Sequence, residues 1–162
     1  MTGKTFLSGG GDENASKMLD EMFFAEIPQG GNILYIATGF HESKRIATAS
    51  DWMQDMIRMH NRSDIQYLFA DDLSDIKHLG AFSAIYIGGG DTEMLMDEFD
   101  RTGFEFVLQN YSRHGGTVYG GGGGAITLGK FIDTRRDIRR QFKTGVELIG
   151  RYSVCTGYRD EN

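Results

Sequence analysis

The stretch Gly115-Gly116-Thr117-Val118-Tyr119-Gly120-Gly121-Gly122-Gly123-Gly124-Ala125-Ile126-Thr127-Leu128-Gly129 decides how the rest of the chain reads. Thr117-Val118-Tyr119 is short and β-prone, five consecutive glycines follow, and Ala125-Ile126-Thr127-Leu128 reads as a helix start. A strand, a sharp turn and a helix in that order outline a nucleophile elbow. Glycines permit the bend there, and the apex pushes one side chain outward. This apex has no side chain to push.

Working outward, two more glycine clusters close predicted strands. Thr5-Phe6-Leu7-Ser8 runs into Gly9-Gly10-Gly11, and Phe82-Ser83-Ala84-Ile85-Tyr86-Ile87 runs into Gly88-Gly89-Gly90-Asp91. Further predicted strands are Asn32 to Thr38, Ile65 to Phe69 and Tyr152 to Cys155. A helix capped by Asp12 or Asn14 runs to about Glu26, with Met18, Leu19, Met22 and Phe23 on one face. A long helix covers Glu42 to about Asn61, with Ile46, Ala49, Met53, Met56, Ile57 and His60 near helical spacing. A short helix is expected from Asp71 to Leu79. One more begins at Thr92, another ends near His114, and Arg135 to Phe142 reads as helical.

Alternating strands and helices, with strands apolar on both faces, predict a mostly parallel sheet covered on both sides, a three-layer αβα sandwich. No linker or repeat divides residues 1–162, which read as a single domain. In such sheets ligands bind beyond the carboxyl ends of the strands. A single glycine cluster needs no explanation beyond a tight strand–helix turn. Three clusters at one edge point to a shared site.

Composition narrows the chemistry. With 17 basic and 23 acidic residues the formal net charge is −6, poorly suited to nucleic acid or an anionic membrane. The Arg135, Arg136, Arg139, Arg140 and Lys143 group reads as a solvated helix face. The lone cysteine, Cys155, excludes an intramolecular disulfide and fits a reducing, cytoplasmic setting. It reads as a buried small hydrophobe. No signal peptide or membrane-spanning run is evident.

A dinucleotide fingerprint fails, because Gly9-Gly10-Gly11-Asp12-Glu13-Asn14 lacks the third glycine and puts carboxylates where a pyrophosphate would lie. No Walker A lysine exists. His41, His60, His78 and Cys155 show no metal-ligand spacing, so neither a metal nor a cofactor is expected. His60 and His78 read as surface or helix-flank residues.

The motifs Leu7-Ser8-Gly9-Gly10-Gly11, Ile33 to Thr38, Ile85-Tyr86-Ile87-Gly88-Gly89-Gly90-Asp91-Thr92 and Tyr119 to Ile126 resemble peptidase family S51. That family includes dipeptidase E and cyanophycinase and shares a fold related to class I glutamine amidotransferases, flavodoxin-like in outline. The resemblance covers essentially the whole chain. It implies an oxyanion hole from the backbone N–H groups of Gly90 and Gly123, with the nucleophilic serine's place taken by Gly122. The histidine's place is taken by Gly157, and the triad acid falls at Asp137 or Asp133. Relative to the family the chain is shortened after Arg159-Asp160-Glu161-Asn162, and the resulting sheet edge leads us to expect self-association.

Without hydroxyl and imidazole no acyl-enzyme forms, and only ~10³–10⁴-fold catalysis over water would remain from binding and the oxyanion hole. The expected function is therefore an S51 scaffold that binds a small peptide or carboxylate without cleaving it. The alternatives are an active dipeptidase or amidase using other residues, and an anion- or nucleotide-binding module. A preference for N-terminal aspartate would need a placed cation, for which Lys44, Arg45 and Arg159 are candidates.

Overall fold

The structure, a computed structural model, describes residues 3–11, 13–40, 43–132 and 143–157. The strands are β1 (Thr5–Ser8), β2 (Asn32–Ile36), β3 (Gln66–Ala70), β4 (Ala84–Ile87) and β5 (Thr117–Gly121). They form a parallel sheet in the order β1-β5-β4-β2-β3. Helices α1 (Glu13–Ala25), α2 (Ser43–Met59), α3 (Thr92–Thr102), α4 (Phe104–Arg113) and the short α5 (Gly123–Thr127) complete the frame. Phe131–Ile132 (β6) and Lys143–Thr144 (β7) add a small antiparallel pair that the sequence did not suggest.

Successive strand residues point to opposite faces, so each strand serves two cores. Ile33, Tyr35, Ala84, Tyr86 and Tyr119 pack with Phe23 and Phe24 of α1 and Met53, Met56 and Ile57 of α2. Their neighbours Leu34, Ile36, Ile85, Ile87 and Val118 pack with Leu95 and Phe99 of α3 and Phe104 and Leu108 of α4. The chain moves one way across the sheet from β1 to β3 and returns through β4 to β5. Right-handed crossovers then place the two helix pairs on opposite faces. The result is the predicted α/β sandwich. No helix among the described residues is long and apolar enough to cross a membrane.

Four local expectations are corrected. The helix expected from Asp71 to Leu79 is an irregular segment with one turn at 74–75. There the Leu73 N–H donates to Glu98 Oε1 at 2.9 Å, tying the segment to α3, and the Ser74 N–H donates to Asp72 Oδ1 at 2.7 Å, closing a local turn. The strand expected from Tyr152 to Cys155 is irregular. It is tied to its neighbour through Lys130 N–H to Tyr152 O at 2.7 Å and Phe131 N–H to Ser153 Oγ at 3.1 Å, a side chain replacing the next step of a ladder. Cys155, expected to be buried, is exposed on that segment. On α1, Met18 and Met22 are 74% and 54% exposed, and Asp20, at 2%, occupies the sheet-facing side instead. The helix expected from Arg135 to Phe142 lies outside the described residues.

Candidate functional site

The sheet order puts β1, β5 and β4 side by side, so the three glycine clusters that follow or end them converge at one edge. At the turn between β5 and α5, Gly122 has φ 53° and ψ −117°, a conformation in which side chains are strained. Its N–H donates to the Ser8 carbonyl at 2.9 Å, pinning the apex to the end of β1. Among the described residues a Cβ placed on Gly122 would meet only the Gly89 Cα, at 3.8 Å, which leaves room for a side chain at the apex. Gly123 has none. A Cβ there would stand 2.5 Å from the Gly90 carbonyl oxygen, and glycine is what lets the two loops touch.

Gly90 and Gly123, the two positions expected to supply amides, are thus brought together. At the start of α5 the Ala125 and Ile126 N–H groups donate to the Gly122 carbonyl at 3.0 and 3.3 Å. Asp91 caps α3, its carboxylate accepting from the Glu93 and Met94 amides at 2.9 and 3.1 Å, which fixes the loop after β4.

A cavity of about 580 Å³ opens beside this turn, on the α1 and α2 side of the sheet. Gly10, Gly11, Gly88, Gly89, Gly121 and Gly122 form its backbone side, and Ser8, Ser16, Tyr35, Phe40, Arg45, Thr48, Ala49, Trp52, Tyr86 and Tyr119 form the rest. Tyr86 and Tyr119 stack with centroids 4.4 Å apart, and Trp52 lies 5.5 Å from Tyr86. Behind this wall the Tyr119 phenol donates to Asp20 Oδ1 at 2.6 Å, and the Ser16 hydroxyl donates to Asp20 Oδ2 at 2.7 Å.

Burial, then the hydrogen bond to the Asp20 carboxylate, push the Tyr119 phenol well above its ordinary value, while the Ser8 and Tyr86 hydroxyls work the other way. Burial likewise raises Tyr86, with the charges of Tyr119, Tyr35 and Asp20 adding to it. All of these phenols act as neutral donors or acceptors at ordinary pH.

Of the residues expected in a triad, Gly122 lines the cavity. Gly157 lies on an exposed segment with φ 74°, has nothing among the described residues within 4 Å of a Cβ position, and does not line the cavity. Asp133, Asp137, His41 and Arg159 lie outside the described residues. Arg45 is on the cavity wall. The pair Asp20 and Tyr119 was missed. Its signal was the spacing Ser16, Asp20, Phe23, Phe24, Ile27, which shares one helical face and carries a carboxylate amid apolar positions.

Two solved structures share the architecture. One is a peptidase from an acI-B1 Actinobacterium, with TM-score 0.69 and 22% identity, covering 92% of this chain and 66% of its own. The other is a candidate peptidase E from Listeria monocytogenes EGD-e, with TM-score 0.62 and 17% identity, covering 93% of this chain and 77% of its own. This chain therefore spans about two thirds of the length of the first. No curated protein matches the chain. The sequence pattern of peptidase family S51 matches residues 5–149, across the sheet, the elbow and the cavity wall, and on that match the chain belongs to peptidase family S51.

Proposed function

We propose that this chain is an S51 scaffold that holds a small peptide-like ligand at the carboxyl edge of its sheet and does not hydrolyse it through a seryl intermediate. The observation that carries the reading is the apex at Gly122. Its backbone is in the strained elbow conformation with room for a side chain, and no hydroxyl is there. In this reading the amides of Gly90 and Gly123 still offer hydrogen bonds to a carbonyl or carboxylate oxygen, while bond-breaking lacks its nucleophile. The test is exposure of the protein to a fluorophosphonate probe, alongside an assay of Asp-X dipeptides. No labelling and no cleavage are expected, and labelling of any residue overturns the proposal.

One observation favours a second reading, an active hydrolase. Ser16 is a hydroxyl on the cavity wall already bonded to a carboxylate, Asp20, at 2.7 Å. A carboxylate is a far weaker base than imidazole and Asp20 also accepts from Tyr119, which ranks this reading second. Probe labelling that is lost in Ser16→Ala would select it.

A further inference from the structure

Two hydroxyls on the cavity wall, those of Ser16 and Tyr119, direct their protons towards one place. Asp20 is buried, and each of its carboxylate oxygens accepts from a neutral hydroxyl, Ser16 on one and Tyr119 on the other. A carboxylate only accepts, so both protons are committed to it, and the formal charge is left in place. The Ser8 hydroxyl accepts the Gly10 N–H at 3.3 Å, which leaves its own proton for the Tyr119 side of the network. What these groups turn to the cavity is therefore lone pairs rather than protons. Around them stand the aromatic faces of Tyr35, Trp52 and Tyr86, with centroid separations of 5.4 to 6.2 Å.

Acceptor oxygens, a buried negative charge and aromatic faces together suit a cation that carries N–H donors. We propose that this cavity receives a primary ammonium group on an aromatic or similarly flat apolar body. Its N–H groups bond the hydroxyl oxygens of Ser16 and Tyr86, and Asp20 behind them balances its charge. The inference rests on the reading of this cavity as the ligand site of the scaffold and adds the class of ligand. Arg45 also lines the cavity and would suit a carboxylate instead, but it is an exposed side chain that solvent can meet. The Asp20 carboxylate, by contrast, is buried in the wall and has no such outlet.

The chain has a single tryptophan, and it is Trp52 on this wall, so its fluorescence reports occupancy directly. The full chain is titrated with phenethylamine, with 3-phenylpropanoate as the anionic isostere, and with the trimethylammonium analogue, which lacks N–H donors. Saturable quenching by phenethylamine is expected, with the trimethylammonium analogue and the carboxylate each binding more weakly. Asp20→Asn and Ser16→Ala are each expected to weaken phenethylamine binding about tenfold, the scale of a hydrogen bond to a charged group. Ser16 is half-buried on α1, so Ser16→Ala decides the matter if Asp20→Asn fails to fold. No saturable quenching by phenethylamine overturns the inference, as does unchanged affinity in Ser16→Ala. Binding of 3-phenylpropanoate as tight as that of phenethylamine overturns it too, while leaving the non-hydrolysing reading intact. Fluorophosphonate labelling topples that reading without altering the amine titration.

Discussion

The Tyr119 phenol donates to Asp20 at 2.6 Å, joining the strand before the elbow to the first helix across 99 positions of sequence. The bond is buried, so removing the donor leaves a carboxylate oxygen without its partner and without water. Tyr119→Phe is expected to lower unfolding free energy by ~1–3 kcal/mol. Urea unfolding checks it, and an unchanged midpoint would contradict the assignment of this bond.

The phenols of Tyr35, Tyr86 and Tyr119 are all held above their ordinary value, burial being the first cause in each. The folded state therefore keeps protons that the unfolded chain gives up near pH ~10. Stability from this source is fully present below that pH and falls as pH rises past it. Urea midpoints measured through the alkaline range should decline, with tyrosinate absorbance from these residues appearing only on unfolding. Early titration of all the tyrosines in the folded protein would refute this.

Neighbouring glycines at the elbow should respond differently to substitution. Gly122→Ser has room but adopts a strained backbone, a cost of ~1–3 kcal/mol. Gly123→Ala drives a methyl to 2.5 Å from the Gly90 carbonyl, a main-chain atom that no rotamer change can move aside. Thermal melts are expected to rank wild type above Gly122→Ser and Gly122→Ser above Gly123→Ala. The reverse order of the two variants would show that the loops do not touch as described.

Arg62 gathers the carbonyls of Phe24, Ile27 and Pro28 and pairs with Asp64, fastening the turn between α1 and β2. The Arg62 hydrogen bond, then the Gly30 amide, lower the Asp64 carboxyl to about 2. A lowered value contributes stability above the ordinary carboxyl range, and that contribution is lost as pH falls towards the folded value. Asp64→Asn should be less stable than wild type at neutral pH, with the gap closing between pH ~4 and pH ~2. Paired denaturation curves across that window test it. A gap independent of pH would assign the effect to something other than the charge.

Placing side chains at both positions expected to belong to a triad is a sharper probe of the site than either alone. Gly122→Ser combined with Gly157→His is expected to yield no Asp-X dipeptide hydrolysis, because nothing among the described residues lies within 4 Å of a Cβ at residue 157 to orient an imidazole. Recovered turnover would mean that this segment closes on the elbow when a ligand is present.

Several of these features are written locally. Ile33-Leu34-Tyr35-Ile36 and Ala84-Ile85-Tyr86-Ile87 are apolar at every position, which demands cover on both faces of a sheet. The Gly-Gly-Gly-Asp run after β4 signals a tight turn and a helix cap, and Asp91 serves as that cap. Where local signals compete, reading failed. Asp71, Asp72, Ser74 and Asp75 suit a helix start and an irregular loop equally, and in the fold the segment is a loop fastened to Glu98 of α3.

The same division holds for the site. By itself the sequence determined the parallel sheet, the glycine clusters at its carboxyl edge and a strand–helix turn with no side chain at its apex, because periodicity and glycine runs act within a few residues. Only the tertiary structure decided that α1 turns Asp20 rather than Met22 towards the sheet, that Tyr119 meets it, and that Trp52 and Tyr86 wall the space beside Gly122. Those contacts depend on strand order and crossover, which set the path of the chain and leave no mark in any short stretch of it.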